Sequence, residues 1–283
     1  MMHMGINRPP AVAGSFYSDD PVALRREIEG FLSRVETSAG GGRIPVGLVV
    51  PHAGYMFSGE VAASAYKLVE GCEFDLVVVV SPSHHKYFPG FSIYQPGNYV
   101  TPLGEIEVDR ELAAELISTS PEISYVPEAH SHEHALEVQL PFLQVCLGRF
   151  RLLPLVMGEQ SWVQAEKLAV ILAGLARERK VLFVASSDLS HFYPAAKAEV
   201  LDRRVVDAVA ACDPASFWAL IETGQAEACG AGPLLAVMLA VRRLGAVRAE
   251  ILSYRHSGEI CGDYNRVVGY LAAAFYHQDK EVR

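Results

Sequence analysis

The chain has 283 residues, 51% hydrophobic and 20% charged, a composition that suits a soluble globular protein with a large core, in one large α/β domain or two small ones. Its 24 Lys and Arg against 33 Asp and Glu give a formal charge of −9 with no basic cluster, which argues against a nucleic-acid surface or an anionic membrane face. Five widely spaced cysteines (Cys72, Cys146, Cys212, Cys229, Cys261) with no CxxC do not form a disulfide framework and fit a reducing cytoplasm.

The N-terminus "MMHMGINRPPAVAGSF" lacks the apolar core of a secretory signal. Asp20 can cap a helix with Pro21 at its first position, and "VALRREIEGFLSRV" continues with helical spacing. "TSAGGGRIP", Thr37 to Pro45, reads as a loop. From there the pattern alternates. "VGLVV" (Val46 to Val50) is a buried strand followed by the helix "GEVAASAYKLVE", and "DLVVVV" is a second strand followed by the helix "VDRELAAELI". "EHALEVQLPFLQVCL" is helical with a kink at Pro141. "FRLLPLVM" (Phe150 to Met157) is a third strand, "WVQAEKLAVILAGLARER" a long helix and "VLFVAS" a fourth strand. Helices follow over Val200 to Ala211, Pro214 to Thr223 and "GPLLAVMLAVRRL", then the strands "AEILSYR" and "RVVGYLAAAFY". The charge-free apolar stretch from Ala228 to Val241 is too short to cross a bilayer as a helix. The whole chain, 1–283, thus reads as a single α/β domain: a mostly parallel central sheet flanked by helices on both faces.

Sheets of this kind bind ligands beyond the carboxyl ends of their strands, and the chemistry-bearing residues collect there. His52 follows the first strand, His84 and His85 the second, Asp188 and His191 the fourth, and His256, Glu259 and Asp263 a later one. One histidine at a strand end is ordinarily a hydrogen-bonded turn residue. The concurrence of His52, His84 and Asp188 with His191 instead favours one shared site, consistent with the use of imidazole as a metal ligand. His85 points away from His84 if the chain stays extended. His130, His132 and His134 in "AHSHEH" would share a face if extended, as a metal clip, although the flanking residues favour a loop. His134 and Glu137, three apart, can reach the main pocket together from one helical face. There is no GxGxxG after a strand, no Walker lysine and no G-x-S-x-G elbow, so nucleotide binding and α/β-hydrolase chemistry lose support. The serines of "SSDLSH" suggest a triad only without the usual elbow glycines.

The ordered motifs "PPAVAGSFY", "VPHAGYMFSG", "SPSHH", "EHALEVQLPFL", "SSDLSHF", "ACGAGP" and "SGEICGDYNRVVGY" resemble the Memo family, whose bacterial and archaeal members are called AmmeMemoRadiSam system protein B, over nearly the whole chain. The resemblance implies a fold like that of the class III extradiol (LigB-type) dioxygenases, which use non-haem iron(II). It implies a metal pocket of His52, His84 and Cys229, with Asp188 and His191 lining it. On the residues alone Cys229 reads as a buried core cysteine, and only the resemblance singles it out from the other four. The dioxygenases carry a glutamate where this family has the cysteine. Two imidazoles and a thiolate leave coordination positions open, as a reactive site requires. Such a set suits iron(II), with zinc or copper as other occupants. The dipole of the helix after Cys229 is expected to favour its thiolate.

These readings lead to a cytoplasmic, metal-dependent redox protein acting on a small organic substrate or dioxygen. His191 is its expected acid/base, oriented by Asp188 and assisted by His134. Two other readings stay open: a module that keeps the pocket but binds a peptide or partner protein, and a metal-dependent hydrolase using activated water. The family resemblance also implies a functional link to AMMECR-type and radical-SAM proteins.

Overall fold

The computed structural model describes residues 6–36 and 42–277; the N-terminal residues inspected for a signal (1–5) and part of the expected Thr37 to Pro45 loop (37–41) lie outside them. Helix α1 (Pro21–Ser33) begins as its sequence requires: the Asp20 carboxylate accepts the Ala23 N–H and Pro21 fills the first turn. Its buried residues Leu24, Ile28 and Leu32 fall four apart on one face. Strand β1 (Gly47–Val50) leads into α2 (Tyr55–Tyr66), and β2 (Leu76–Pro82) is buried throughout. Four short strands follow: β3 (Phe91–Ile93), β4 (Tyr99–Thr101), β5 (Gly104–Ile106) and, after α3 (Arg110–Thr119), β6 (Ile123–Ser124). Next come α4 (Pro127–Ser131), α5 (His134–Glu137) and α6 (Gln139–Leu147). The expected kink at Pro141 is realised one turn upstream, at Val138 between α5 and α6, because the proline lacks the N–H that would bond the Glu137 carbonyl. The chain continues through β7 (Leu152–Met157), α7 (Trp162–Leu175), β8 (Val181–Ser186), β9 (His191–Tyr193), α8 (Ala195–Ala210), α9 (Pro214–Glu222) and α10 (Ala231–Arg243). It ends with β10 (Ala246–His256), α11 (Gly258–Cys261) and β11 (Val267–His277).

The main sheet has nine strands, ordered β10-β11-β1-β8-β2-β7-β3-β6 with β9 beside β11. The central neighbours β1, β8, β2 and β7 are parallel, as the buried runs predict. The flanks are antiparallel, at β1–β11, β10–β11 and β3–β7, so the sheet is mixed around a parallel centre. Residues 257–266 between β10 and β11 are fewer than a parallel crossover needs, which accounts for one flank.

Alternation along the central strands divides the core. Leu48, Val50, Val77, Val79, Leu182 and Val184 pack with α1, α2 and α6, whereas Val49, Val78, Val80, Phe183 and Ala185 pack with α7, α9 and α10. Among the described residues no helix is long and apolar enough to cross a membrane. With both sheet faces covered, the carboxyl edge of β1, β8 and β2 is left for chemistry.

Candidate metal centre

The registers of β1, β8 and β2 bring their ends level, and each end contributes to one cluster. Beyond β1, the His52 backbone N–H donates to Asp188 Oδ1 at 2.7 Å. The His52 ring lies with Nδ1 2.9 Å from Ser186 Oγ and Nε2 3.1 Å from Cys229 Sγ. Beyond β2, His84 is held twice by Glu133: its backbone N–H donates to Oε2 at 2.6 Å and its Nδ1 lies 2.9 Å from Oε1. Cys229 precedes α10 and docks on the turn after β8. Its N–H donates to the Asp188 carbonyl at 3.2 Å, and Sγ accepts the Asp188 N–H at 3.3 Å. Gly230 makes this approach sterically feasible, since a Cβ there would stand 2.3 Å from the Ser186 carbonyl oxygen.

One donor atom from each of His52, His84 and Cys229 lies within 4.8 Å of the others, so the three can share a single ion. The donor set, two imidazoles and a sulfur, is chemically suited to a transition metal and leaves positions open. The 3.1 Å between His52 Nε2 and Cys229 Sγ is a hydrogen-bond distance between thiol and imidazole. A second group, His84, Glu133 and His134, shares His84, whose Nδ1 is already engaged with Glu133, so it orients the first rather than adding a second centre.

Burial, helped by the neighbouring His84, holds the His52 imidazole down at about 3, and burial with His52 nearby brings His134 to about 4. Both rings are neutral ligands or bases at physiological pH. Burial pushes the Glu133 carboxyl up, but the hydrogen bonds from His84 and Ala135 outweigh it and bring it down to about 2. Burial raises Asp188 against the opposing His52 N–H and His191. Cys229 departs from expectation. Burial, reinforced by Asp188, raises its thiol well above the ordinary value, overriding any lowering by the dipole of α10. Without a cation the sulfur is a thiol facing His52, and a metal would be what makes it a thiolate.

His134 stacks on His84 with ring centroids 4.6 Å apart and stands edge-on to His52 at 5.4 Å, placing it inside the cluster. His191 lies on β9, half-buried, where its charge bears on both His52 and Asp188. No hydrogen bond joins His191 to Asp188, its expected orienting partner, among the described residues; Asp188 Oδ1 accepts the His52 backbone N–H. His85 is exposed and outside the donor set; residues 84 and 85 lie in a bend, so the extended chain from which its direction was expected is not present. The alternating histidines do not form a clip, because residues 127–131 are helical. His130 is buried against Ser92 and Tyr99, apart from His134. Glu137 does not accompany His134; it turns to Arg8, Tyr17 and the Ala11 and Val12 N–H groups. His256 is buried opposite Glu199, two strands from the cluster. The serines of "SSDLSH" are not presented as nucleophiles: Ser186 and Ser190 are fully buried and the Ser187 hydroxyl donates to the Asp188 carbonyl. Glu133 was visible in the sequence only as an acidic residue among histidines. Its place just ahead of the apolar helix, where its side chain accepts the Ala135 N–H, was the available signal.

The fold is thus an α/β sheet covered on both faces that gathers imidazoles, a carboxylate and a thiol at the carboxyl edge of its parallel strands. Residues 8–274 match the sequence profile of the Memo-like protein family. A MEMO1 family protein of Methanothermobacter thermautotrophicus is 39% identical over 274 residues, covering 93% of this chain and 98% of its own. One of Methanopyrus kandleri is 38% identical over 281 residues, covering 95% and 99%. The chain belongs to the Memo family. A crystal structure of an uncharacterized Escherichia coli K12 protein is similar in fold, with a TM-score of 0.52 at 17% identity, covering 81% of this chain and 99% of that one.

Proposed function

We propose that the protein is a metal-dependent redox protein that holds iron(II) on His52, His84 and Cys229 and acts on a small organic substrate or dioxygen. The observation that supports the reading is the convergence of these donors at the carboxyl edge of the sheet, His52 after β1, His84 after β2 and Cys229 docked on the turn after β8. A donor set of two imidazoles and one anion suits iron(II), with zinc or copper as other occupants. Iron(II), when bound, supplies one-electron chemistry and open coordination positions. The chain supplies the proton handling. His134, neutral and stacked on His84, is placed to accept a proton from a bound molecule. His191 stands at the half-exposed margin and can exchange that proton with solvent, while buried Asp188 fixes the His52 backbone. The five free thiols and acidic surface suit a reducing cytoplasm and a small-molecule substrate.

Anaerobic purification with metal analysis, followed by an oxygen-consumption screen over catechols and other small phenols, tests the reading. It expects near-stoichiometric iron and uptake with at least one substrate. Native zinc with no oxygen uptake would replace it with the hydrolase reading, and a protein that stays metal-free would leave the partner-binding one.

A further inference from the structure

The hydrogen bonds around the two imidazoles run in one direction only. Ser186 Oγ has a single proton and three neighbours: the Ala135 carbonyl at 2.7 Å, Gln139 Nε2 at 2.8 Å and His52 Nδ1 at 2.9 Å. The carbonyl can only accept, so it takes the serine proton. Gln139 is fixed in turn, because its Nε2 also donates to the Pro51 carbonyl at 2.9 Å and its Oε1 accepts from Tyr66 at 2.7 Å. Ser186 therefore receives one bond from Gln139 and offers its last lone pair to His52, whose Nδ1 must carry the ring proton. At His84 the result is the same by a simpler route. The Glu133 carboxylate accepts the His84 backbone N–H, the Ala135 N–H at 2.9 Å and the proton on His84 Nδ1.

We infer that Glu133, Ser186 and Gln139 are positioning residues that lock both imidazoles as Nδ1–H tautomers, leaving each Nε2 unprotonated, with His52 Nε2 facing Cys229 Sγ at 3.1 Å. The inference rests on the metal-centre reading for its purpose, and it gives "EHALEVQ" a role beyond His134: Glu133, the Ala135 carbonyl and Gln139 all come from that segment. Partners of this kind set the ligating nitrogen and orient the ring, and their loss lowers metal affinity by about 10- to 100-fold.

Long-range ¹H–¹⁵N spectra of the metal-free full chain report each tautomer directly, and cobalt(II) titration of the same samples reports affinity. In the wild type both His52 and His84 are expected as Nδ1–H. Glu133→Ala should release His84 alone and Ser186→Ala His52 alone, each weakening cobalt binding by about 10- to 100-fold. A general structural disturbance would shift both rings in either variant. Either ring in the Nε2–H form in the wild type overturns the inference, even if both variants fail to fold. A wild type with both rings Nδ1–H but no cobalt uptake removes the metal reading and upholds the tautomer lock.

Discussion

His130 is buried between Ser92 and Tyr99, with ring nitrogens 2.9 Å and 2.8 Å from their hydroxyls, while its carbonyl receives Arg8 Nε. Burial, reinforced by Arg8, holds the ring down at about 3, against 6.5 for a free histidine. The unfolded chain therefore binds a proton below pH 6.5 that the folded one refuses. Stability from this group is complete above pH 6.5 and falls as the pH drops from there toward 3. At roughly 1.4 kcal/mol per pH unit, one such group costs about 3 kcal/mol between pH 6.5 and 4.5. His52 and His134 are depressed for similar reasons, so His130→Gln should remove roughly a third of the histidine-linked loss. Urea midpoints at pH 7 and 4.5 check this: the variant's acid loss should be the smaller one, and equal losses would show that His130 is charged in the fold. The sequence made this residue visible but not its role. Read as extended, His130 shares a face with His134; the Pro127 helix turns it into the core instead.

At the scale of elements, the approach of α10 to β8 depends on Gly230. Adding a methyl group 2.3 Å from the Ser186 carbonyl must push back the helix N-terminus, because the obstructing atom is backbone. Gly230→Ala should thus cost about 1–3 kcal/mol and draw Cys229 away from His52. A melting curve with cobalt titration checks both effects, and an unchanged affinity would mean that this approach does not set the sulfur's position. The long elements were legible because each states its own periodicity and ends. Asp20, Asp109, Ser161 and Asp213 all cap the helices that follow them, and the apolar runs are the central parallel strands. The strands β3 and β6, three and two residues long, were not legible, since so few residues show no period. The antiparallel flank at β10 and β11 was not read, although residues 257–266 between them are too few for a parallel crossover. Glu133, Ser186 and Gln139 escaped notice because their role depends on contacts between distant elements: Gln139 meets Ser186 across 47 positions.

Across the whole molecule, two large cores on opposite faces of the sheet make the fold self-sufficient, and the proposed ion adds only its own binding energy. At a free metal concentration 100 times the dissociation constant, that contribution is ~2.7 kcal/mol. At that concentration chelation should lower the melting temperature by about 5–11 °C and leave one cooperative transition, since a protein of this size shifts about 2–4 °C per kcal/mol. Loss of cooperativity in calorimetry would instead make the centre a structural one, as in a zinc finger. The central claim is that His52, His84 and Cys229 share one ion. X-ray absorption at the iron edge of anaerobically loaded protein tests it most directly. One sulfur scatterer beside imidazole nitrogens is expected, with the sulfur contribution lost in Cys229→Ala. A shell of nitrogen and oxygen alone, or one unchanged by that substitution, would contradict it.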